Sequence, residues 1–205
     1  MRRQLVGALV VALALGAGAT YAQQPQGAAP GGGQGRGGGR GPATPPLLMT
    51  TTSFEDGGII PAKFAGQMGV SPELKWSQVP MGTQSFVLLM HDPDVALGRG
   101  TLDVTHWLVW NIPGTSTGLA EGVMPVAELP DGTRQVSLRA AGYMGPGAPA
   151  TGPYHHYTFE LFALDTKLDI PAGTPQEAAA TRAAVMKAIE GHALGKAVLV
   201  GRFHQ

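Results

Sequence analysis

The chain contains no cysteine among its 205 residues. Core packing without disulfides must therefore hold the fold, and cysteine-based zinc sites, thiol nucleophiles and lipid attachment through a cysteine are excluded. The chain also lacks an excess of charge of one sign, because 14 basic and 14 acidic residues give a formal net charge of zero. Without a long run of like charges, there is no electrostatic case for a nucleic-acid partner or for an anionic membrane surface.

A recognisable catalytic centre is missing as well. Ser77, Ser85 and Ser137 lack the glycine-flanked context of a nucleophile elbow. No combination of nucleophile, base and acid stands out elsewhere in the sequence. We therefore expect a protein that binds a ligand without catalysing a reaction.

The N-terminal segment has the features of a secretory leader. A basic start at residues 1–3 precedes an uncharged apolar run at residues 5–19, and Thr20 and Ala22 place small residues at the −3 and −1 positions of a cleavage site. We interpret residues 1–22 as a signal peptide. A retained anchor helix is the alternative, although the apolar run is shorter than the ~20 residues that span a bilayer. We expect a periplasmic or secreted protein, cleaved near Ala22.

Two further regions follow the leader. Residues 23–46 are mainly Gln, Gly, Pro, Ala and Arg. Such a segment buries too little apolar surface to offset its ordering entropy, so a disordered Gly/Pro-rich tether is predicted. The remaining residues, 47–205, have the length of one domain.

The hydrophobic pattern of this domain is mainly that of β-strands. Short strands are predicted at residues 47–54, 59–64, 74–76, 85–90, 106–112, 157–164 and 198–200. The uninterrupted apolar run at 85–90 indicates burial on both faces of a sheet. A single helix is predicted at 178–189, with Thr174 as N-cap and Pro175 in its first turn. The pattern favours a β-sandwich with one late helix.

Polar side chains gather beside two of the apolar strands. The first stretch holds His91, Asp92 and Asp94, followed by His106. The second holds a Gly/Pro-rich segment at 142–153, followed by residues 154–157, Tyr-His-His-Tyr. Loops on a rigid scaffold are where binding residues concentrate. Taken singly, Asp92-Pro93-Asp94 also fits a turn and His106 also fits a hydrogen-bonded core histidine.

The ordered set of motifs resembles the phosphatidylethanolamine-binding protein family. Asp92-Pro93-Asp94 with the later run 106–113, HWLVWNIP, is similar to its first signature, and Gly145-Pro146 with the run 152–165 is similar to its second. Further agreement lies in residues 71–76, 79–83 and 190–192. The similarity extends from about residue 54 to 203 and is strongest to the bacterial, Raf kinase inhibitor-like branch.

The resemblance implies both a fold and a pocket. The fold is a mainly β, antiparallel sandwich of a large central sheet on a smaller one, with a C-terminal helix. The pocket would bind a small anionic or zwitterionic ligand, such as phosphate or a phosphoethanolamine-like phospholipid head group, without a cofactor or metal. By correspondence with the family it is formed by Asp92, His106, Pro146, His155 and Tyr157.

The chemistry of these side chains agrees with such roles. Imidazole N–H groups and a phenol O–H can donate to anionic oxygens, whereas the carboxylate of Asp92 would orient His106 or bind an ammonium group. His155 and Tyr157 lie two residues apart and share a strand face, so His156 points away. We assign His192 and His204 structural or exposed positions.

Two departures and two alternatives accompany this interpretation. The loop at residues 95–100 replaces the family's usual Ala-Pro, and His156 stands where an arginine is more usual. An inhibitor that acts on a partner enzyme through a surface loop is one alternative function. Separately from these functions, a homodimer is expected of this branch. A hydrolase with zinc or iron on His91, Asp92, Asp94 and His106 is a less favoured alternative.

Overall fold

The computed structural model describes residues 46–66 and 69–205. The predicted signal peptide, residues 1–22, and the predicted tether up to residue 45 lie outside the described residues. The strands are β1 (Leu48–Thr50), β2 (Leu74–Ser77), β3 (Ser85–Asp92), β4 (Val104–Pro113), β5 (Gly118–Leu119), β6 (Arg134–Val136), β7 (His155–Leu164) and β8 (Ala193–Phe203). The helix α1 spans Ala178–Ala188, and single 3₁₀ turns occur at 62–64, 97–99 and 175–177.

The strands form two antiparallel sheets. The large sheet has the order β6-β4-β3-β7-β8, and the small sheet has the order β1-β2-β5. Every neighbouring pair of named strands is antiparallel. This arrangement confirms the predicted class, a mainly β sandwich with a C-terminal helix.

Strand β3 is the centre of the large sheet and is buried on both faces. Phe86, Leu88 and Met90 point into the core between the sheets, whereas Val87 and Leu89 point into a second core beneath α1. All five are at most 1% exposed, and each such burial stabilises the fold by roughly 1.5–3 kcal/mol. The burial on both faces of a sheet that was predicted from the apolar run at 85–90 is therefore confirmed.

Helix α1 covers the outer face of the large sheet. Its side chains Ala178, Thr181 and Val185 are buried against that face. The chain turns into the helix where the backbone N–H and hydroxyl of Thr174 donate to the carboxylate of Glu177 at 3.2 and 2.7 Å, so that the acidic side chain reaches back to the N-cap residue as in a capping box. The predicted helix is thus confirmed, and it ends one residue earlier than expected.

The predicted strand at 59–64 is wrong. Ile59 makes one isolated bridge to Arg202, after which Pro61 turns the chain into the 3₁₀ turn at Ala62–Phe64. The proline removes a ladder donor, and only Phe64 of the turn is buried. The strand predicted at 47–54 is also shorter than expected, since only residues 48–50 pair with β2.

This bridge is part of a cover over the edge strand β8. The backbone N–H of Gly57 donates to the Val200 carbonyl at 2.7 Å, and that of Ile60 donates to the Arg202 carbonyl at 2.8 Å. In return, the Arg202 N–H donates to the Gly58 carbonyl at 2.8 Å. The segment 57–60 therefore pairs with the C-terminal half of β8 without being a strand.

A row of paired charged side chains, joined through His91, lies on the helix side of the large sheet. Arg182 of α1 pairs with Asp103, whose other carboxylate oxygen lies 2.7 Å from His91 Nδ1. The second ring nitrogen of His91 is 3.7 Å from Glu160, and Glu160 pairs with Lys196. This row connects the end of the loop between β3 and β4 to the helix and to β7 and β8.

Substituting Arg182 with glutamine is expected to lower the free energy of unfolding by about 1 to 2 kcal/mol at pH 7, because the half-buried Asp103 loses a charged donor. Burial raises the pKa of Asp103, but the bonds from Arg182 and His91 outweigh this effect and hold the pKa below its usual range. That stabilisation is present above pH 4 and is lost as the pH falls through the lowered pKa, so the variant and wild type should converge in acid.

Urea denaturation at several pH values measures this difference. Lys187→Gln is the control, because Lys187 lies on the same helix in an exposed pair with Glu190, for which about 0.5 kcal/mol or less is expected. Equal effects of the two variants would contradict a structural role for the Arg182–Asp103 pair.

Candidate functional site

Four of the five predicted pocket residues line one cavity of about 490 Å³. Asp92 ends β3, His106 lies near the start of β4, and His155 and Tyr157 begin β7. Because β4, β3 and β7 are antiparallel neighbours, the end of one strand meets the starts of the other two at the same edge of the sheet. The fifth residue, Pro146, is buried but does not line the cavity, which its neighbours Gly145 and Gly147 do.

A β-bulge brings His106 onto the cavity side of the sheet. In the register of β3 and β4, Met90 pairs with Trp107 and His91 pairs with Thr105, so that His106 is the extra residue. In such a bulge, two successive side chains can point to the same face. Trp107 therefore enters the inner core while His106 still faces the cavity, and Thr105 returns to the outer face, where its hydroxyl is 3.4 Å from Arg182.

Asp92 and His155 form the polar pair at the base of the cavity. Asp92 is only 3% exposed, and its two carboxylate oxygens accept from different groups. One lies 2.8 Å from Nδ1 of His155, and the other accepts the backbone N–H of Asp94 at 3.0 Å. A buried carboxylate requires such partners, and the pairing orients the His155 ring through Nδ1.

Tyr157 is fully buried beside this pair. Its hydroxyl oxygen accepts the backbone N–H groups of Gly147 and Ala148 at 3.2 and 3.1 Å. Burial raises the pKa of the Tyr157 phenol, the two N–H groups oppose that rise, and the charge of Asp92 adds to it. The phenol therefore remains protonated at neutral pH and fixes the glycine-rich segment against the strand.

His106 is held in one tautomer by the same segment. Its Nδ1 lies 2.9 Å from the Met144 carbonyl, and a carbonyl accepts only, so Nδ1 carries the proton. Its ring meets Tyr157 edge-on at a centroid distance of 5.0 Å. Burial lowers the pKa of His106, which the Met144 carbonyl and the Asp92 charge only partly oppose. The imidazole is thus neutral at pH 7, with Nε2 as an acceptor.

The remaining lining was not predicted from the sequence. It includes two polar residues, Arg139 and Gln205, and apolar side chains from three separate segments. The apolar residues are Val95, Leu97, Val104, Leu138, Met144, Ala148 and Pro149. Gly66 also lines the cavity, because its N–H donates to the Pro146 carbonyl at 2.7 Å and its carbonyl accepts from Gly145 at 3.0 Å. A side chain at position 145 would collide with the Phe64 carbonyl, at 2.3 Å from a Cβ, so this approach requires glycine.

The other histidines lie away from the cavity. His91 is on the helix side of the sheet in the charge row, and His156 is 53% exposed beside Asp94 at 3.0 Å. His192 is an exposed partner of Asp165, and the His204 ring packs on Tyr154 with a centroid distance of 3.8 Å and an interplanar angle of 43°. The parity argument that separated His155 and Tyr157 from His156 is therefore confirmed.

The alternative metal site is divided by the sheet. His91 faces α1, whereas Asp92 and His106 face the cavity. Asp94 is engaged at the surface by the N–H and ring of His156. Within residues 46–66 and 69–205, no three His, Asp or Glu side chains converge in a way that could hold a metal ion.

Replacing His106 with glutamine should remove part of the pH dependence of stability. Because the folded-state pKa is lowered, the wild-type free energy of unfolding is highest above about pH 6.5 and falls as the pH drops towards the lowered pKa. Urea denaturation should show that, between pH 7.5 and pH 5, the free energy of unfolding falls less for His106→Gln than for wild type. The control is His192→Gln, because His192 is an exposed histidine outside the cavity lining. If the free energy of unfolding fell as much in His106→Gln as in wild type, His106 would not be buried in its neutral form.

Comparisons with known proteins agree with this fold. The sequence model described as phosphatidylethanolamine-binding protein matches residues 50–204. A UPF0098 protein of Methanothermobacter thermautotrophicus is 39% identical over 163 residues, covering 78% of this chain and 99% of the relative. A candidate lipoprotein, LppC, of Mycobacterium tuberculosis is 36% identical over 166 residues, covering 79% of this chain and 74% of the relative.

Solved structures give the same answer. CT736 of Chlamydia trachomatis, a candidate phosphatidylethanolamine-binding protein homologue, superposes with a TM-score of 0.63 at 28% identity, covering 78% of this chain and 98% of the other. YbcL of Escherichia coli, described as a member of the mammalian PEBP family, gives a TM-score of 0.61 at 27% identity with the same coverage. The chain therefore belongs to the phosphatidylethanolamine-binding protein family, in its bacterial branch.

Proposed function

We propose that this domain is an exported, non-catalytic binding protein for a small anionic or zwitterionic ligand such as a phosphorylated head group. The observation that carries the proposal is the set of polar side chains gathered at one cavity: Asp92, His106, His155 and Tyr157. A small number of converging polar groups within apolar walls is typical of small-molecule sites. The term Raf kinase inhibitor-like refers here to the branch of the family and makes no statement about a kinase partner.

The dimensions of the cavity support a head group as the ligand. Its volume of about 490 Å³ lies in the usual range of small-ligand pockets, about 300 to 1,000 Å³. Most of its wall is apolar side chain or glycine backbone, which would accommodate a short carbon chain between charged ends. A whole folded partner would need a much larger surface.

The side chains around the cavity favour binding over catalysis. No serine, threonine or lysine belongs to the lining among the described residues. The Tyr157 hydroxyl already accepts two backbone N–H groups, and its protonated form is favoured by burial. A covalent mechanism would require a nucleophile beside a base, and Asp92 with His155 supplies only the base and its orienting acid.

Export is supported by the leader-like residues 1–22 and by the relative LppC, whose name describes a candidate lipoprotein. This chain lacks the cysteine to which a lipid would be attached. We therefore propose cleavage near Ala22 and a periplasmic or secreted domain. No helix within the described part of the chain is long and apolar enough to cross a membrane.

Titration calorimetry with phosphoethanolamine tests the site. His155→Ala removes the partner of the buried Asp92 carboxylate, so about a tenfold or larger loss of affinity is expected. His106→Ala should also weaken binding, because it removes an acceptor and enlarges the cavity.

His192→Ala is the matched control, since His192 is another carboxylate-paired histidine that lies outside the cavity lining. Thermal unfolding of each variant checks that it is folded. Wild-type affinity in both His155→Ala and His106→Ala would place the ligand elsewhere and overturn the proposed site.

A further inference from the structure

The cover over the edge strand β8 stops at Val200. The carbonyl of Val200 accepts the Gly57 N–H at 2.7 Å, and its N–H donates to the Asp56 carboxylate at 2.9 Å. In an antiparallel ladder, every second residue directs its backbone groups away from the neighbouring strand. The pairing of β7 with β8 is regular over these residues, so the N–H and carbonyl groups of Lys196 and Val198 also point away from β7.

These four backbone groups form a short open edge. Within residues 46–66 and 69–205, no backbone group bonds to the outward N–H or carbonyl of Lys196 or Val198. Val198 is 47% exposed, and so is the side chain of Lys196. An open edge of this kind can take up an extended segment of another chain as an additional strand.

A groove of about 510 Å³ lies on the inner side of the same edge. Met49, Phe54 and Leu199 form its apolar wall, together with the threonines at 50–52. Leu199 follows Val198 in β8 and points into the inner core. Residues directly opposite each other on paired strands share a face, so a side chain opposite Leu199 on an added strand would point into this groove.

Two carboxylates lie at one end of the groove. Glu55 and Asp56 both line it and are both exposed. In the described part of the chain, no lysine, arginine or histidine forms an ion pair with either of them. This negative charge therefore favours a partner with a positively charged residue at the same end of the edge.

We propose that the open edge at Lys196 and Val198 is a docking site for an extended segment of a partner protein, which adds to the large sheet as an antiparallel strand. The segment places an apolar side chain in the groove beside Leu199 and a lysine or arginine against Glu55 and Asp56. Because β8 runs towards Asp56, the basic residue precedes the apolar one in the partner sequence. The groove shares no lining residue with the candidate functional site, so this inference does not depend on the proposed function.

The chain's own residues 23–45 fit this edge poorly. They contain no apolar side chain larger than proline, so they offer nothing that could fill the groove beside Leu199. Pro42 and Pro45 also lack the N–H that pairing with an edge requires. A segment from another protein is therefore the favoured occupant.

Amide hydrogen exchange, followed by NMR in the purified protein, tests whether the edge is open. The Lys196 and Val198 amides should exchange about a hundredfold or more faster than those of Ala197 and Leu199, which are directed towards β7. Slow exchange of Lys196 and Val198 at every protein concentration would indicate that residues 23–45 occupy the edge. Slow exchange that appears only at high concentration would indicate a second copy, and either result would overturn the proposal.

The binding probe is the capped peptide Arg-Leu-Val-Ala-Thr-Val, whose leucine and first valine are designed to lie opposite Leu199 and Val198. Its addition should slow exchange of the Lys196 and Val198 amides. Proline in place of that first valine removes a ladder donor, so the affinity should fall about tenfold or more. Glutamate in place of the arginine should lower it by a similar factor, because it faces Glu55 and Asp56.

Two protein variants locate the peptide on the edge. Val198→Pro removes only an outward N–H, which an edge strand tolerates, and should weaken the parent peptide about tenfold or more. Glu55→Gln should weaken it less. Asp169→Asn is the control for Glu55→Gln, because Asp169 is another exposed carboxylate outside the groove, and it should bind the peptide as wild type does.

Thermal unfolding checks that Val198→Pro is folded. If that variant does not fold, the comparison of the parent and proline peptides on wild type decides. Equal affinity of wild type for these two peptides would overturn the proposal, as would the absence of any binding of the parent peptide. Equal losses in Glu55→Gln and Asp169→Asn would contradict the assigned position of the basic residue.

Discussion

The buried carboxylate of Asp92 is the constraint on which the candidate site depends. A charge removed from water is stable only when it is paired and hydrogen-bonded, and two neighbours of Asp92 meet that requirement. His155 supplies a ring N–H, the turn at Asp94 supplies a backbone N–H, and Tyr157 lies within reach of the same charge. The Asp94 carboxylate is bonded in turn by His156, and the Tyr157 hydroxyl by Gly147 and Ala148, so the polar cluster is a connected arrangement at the end of an apolar sheet.

Rigidity of the sheet makes this arrangement reproducible. Strand β3 is packed on both faces, and its last residue is Asp92. The bulge at His106 then changes the side-chain alternation of β4 by one residue, so that a tryptophan core and a histidine-lined cavity occupy the same face. A local irregularity in a well-packed ladder is thus what separates the binding surface from the core.

Much of the fold follows from local sequence signals, but part of the site does not. The apolar run at 85–90 and the Thr174–Glu177 start of the helix depend on neighbouring residues alone, and both predictions were confirmed. The same holds for the shared face of His155 and Tyr157. Arg139 escaped prediction because its approach to the cavity depends on a backbone bond between Leu138 and Thr105, and no sequence pattern encodes that long-range pairing. The bulge is hidden for a similar reason, since regular alternation would send His106 and Trp107 to opposite faces.

The failed strand at 59–64 has the same origin. Its β-branched start, Ile59 and Ile60, satisfies strand propensity, but Pro61 ends the pairing after a single bridge. Strand propensity indicates which residues can adopt an extended conformation, whereas the tertiary contact with β8 determines how many residues of this segment pair with it.

That short pairing of residues 57–60 with β8 also bears on how the protein behaves at high concentration. An open sheet edge is a template on which strands of other molecules can assemble into aggregates, and a chain without cysteine has no covalent link to limit opening of its edges. The segment occupies the backbone groups of Val200 and Arg202 yet stops at a proline before it becomes a new edge of its own. It therefore acts as a built-in terminator of sheet growth, and it protects the strand that leads towards the cavity from pairing between molecules.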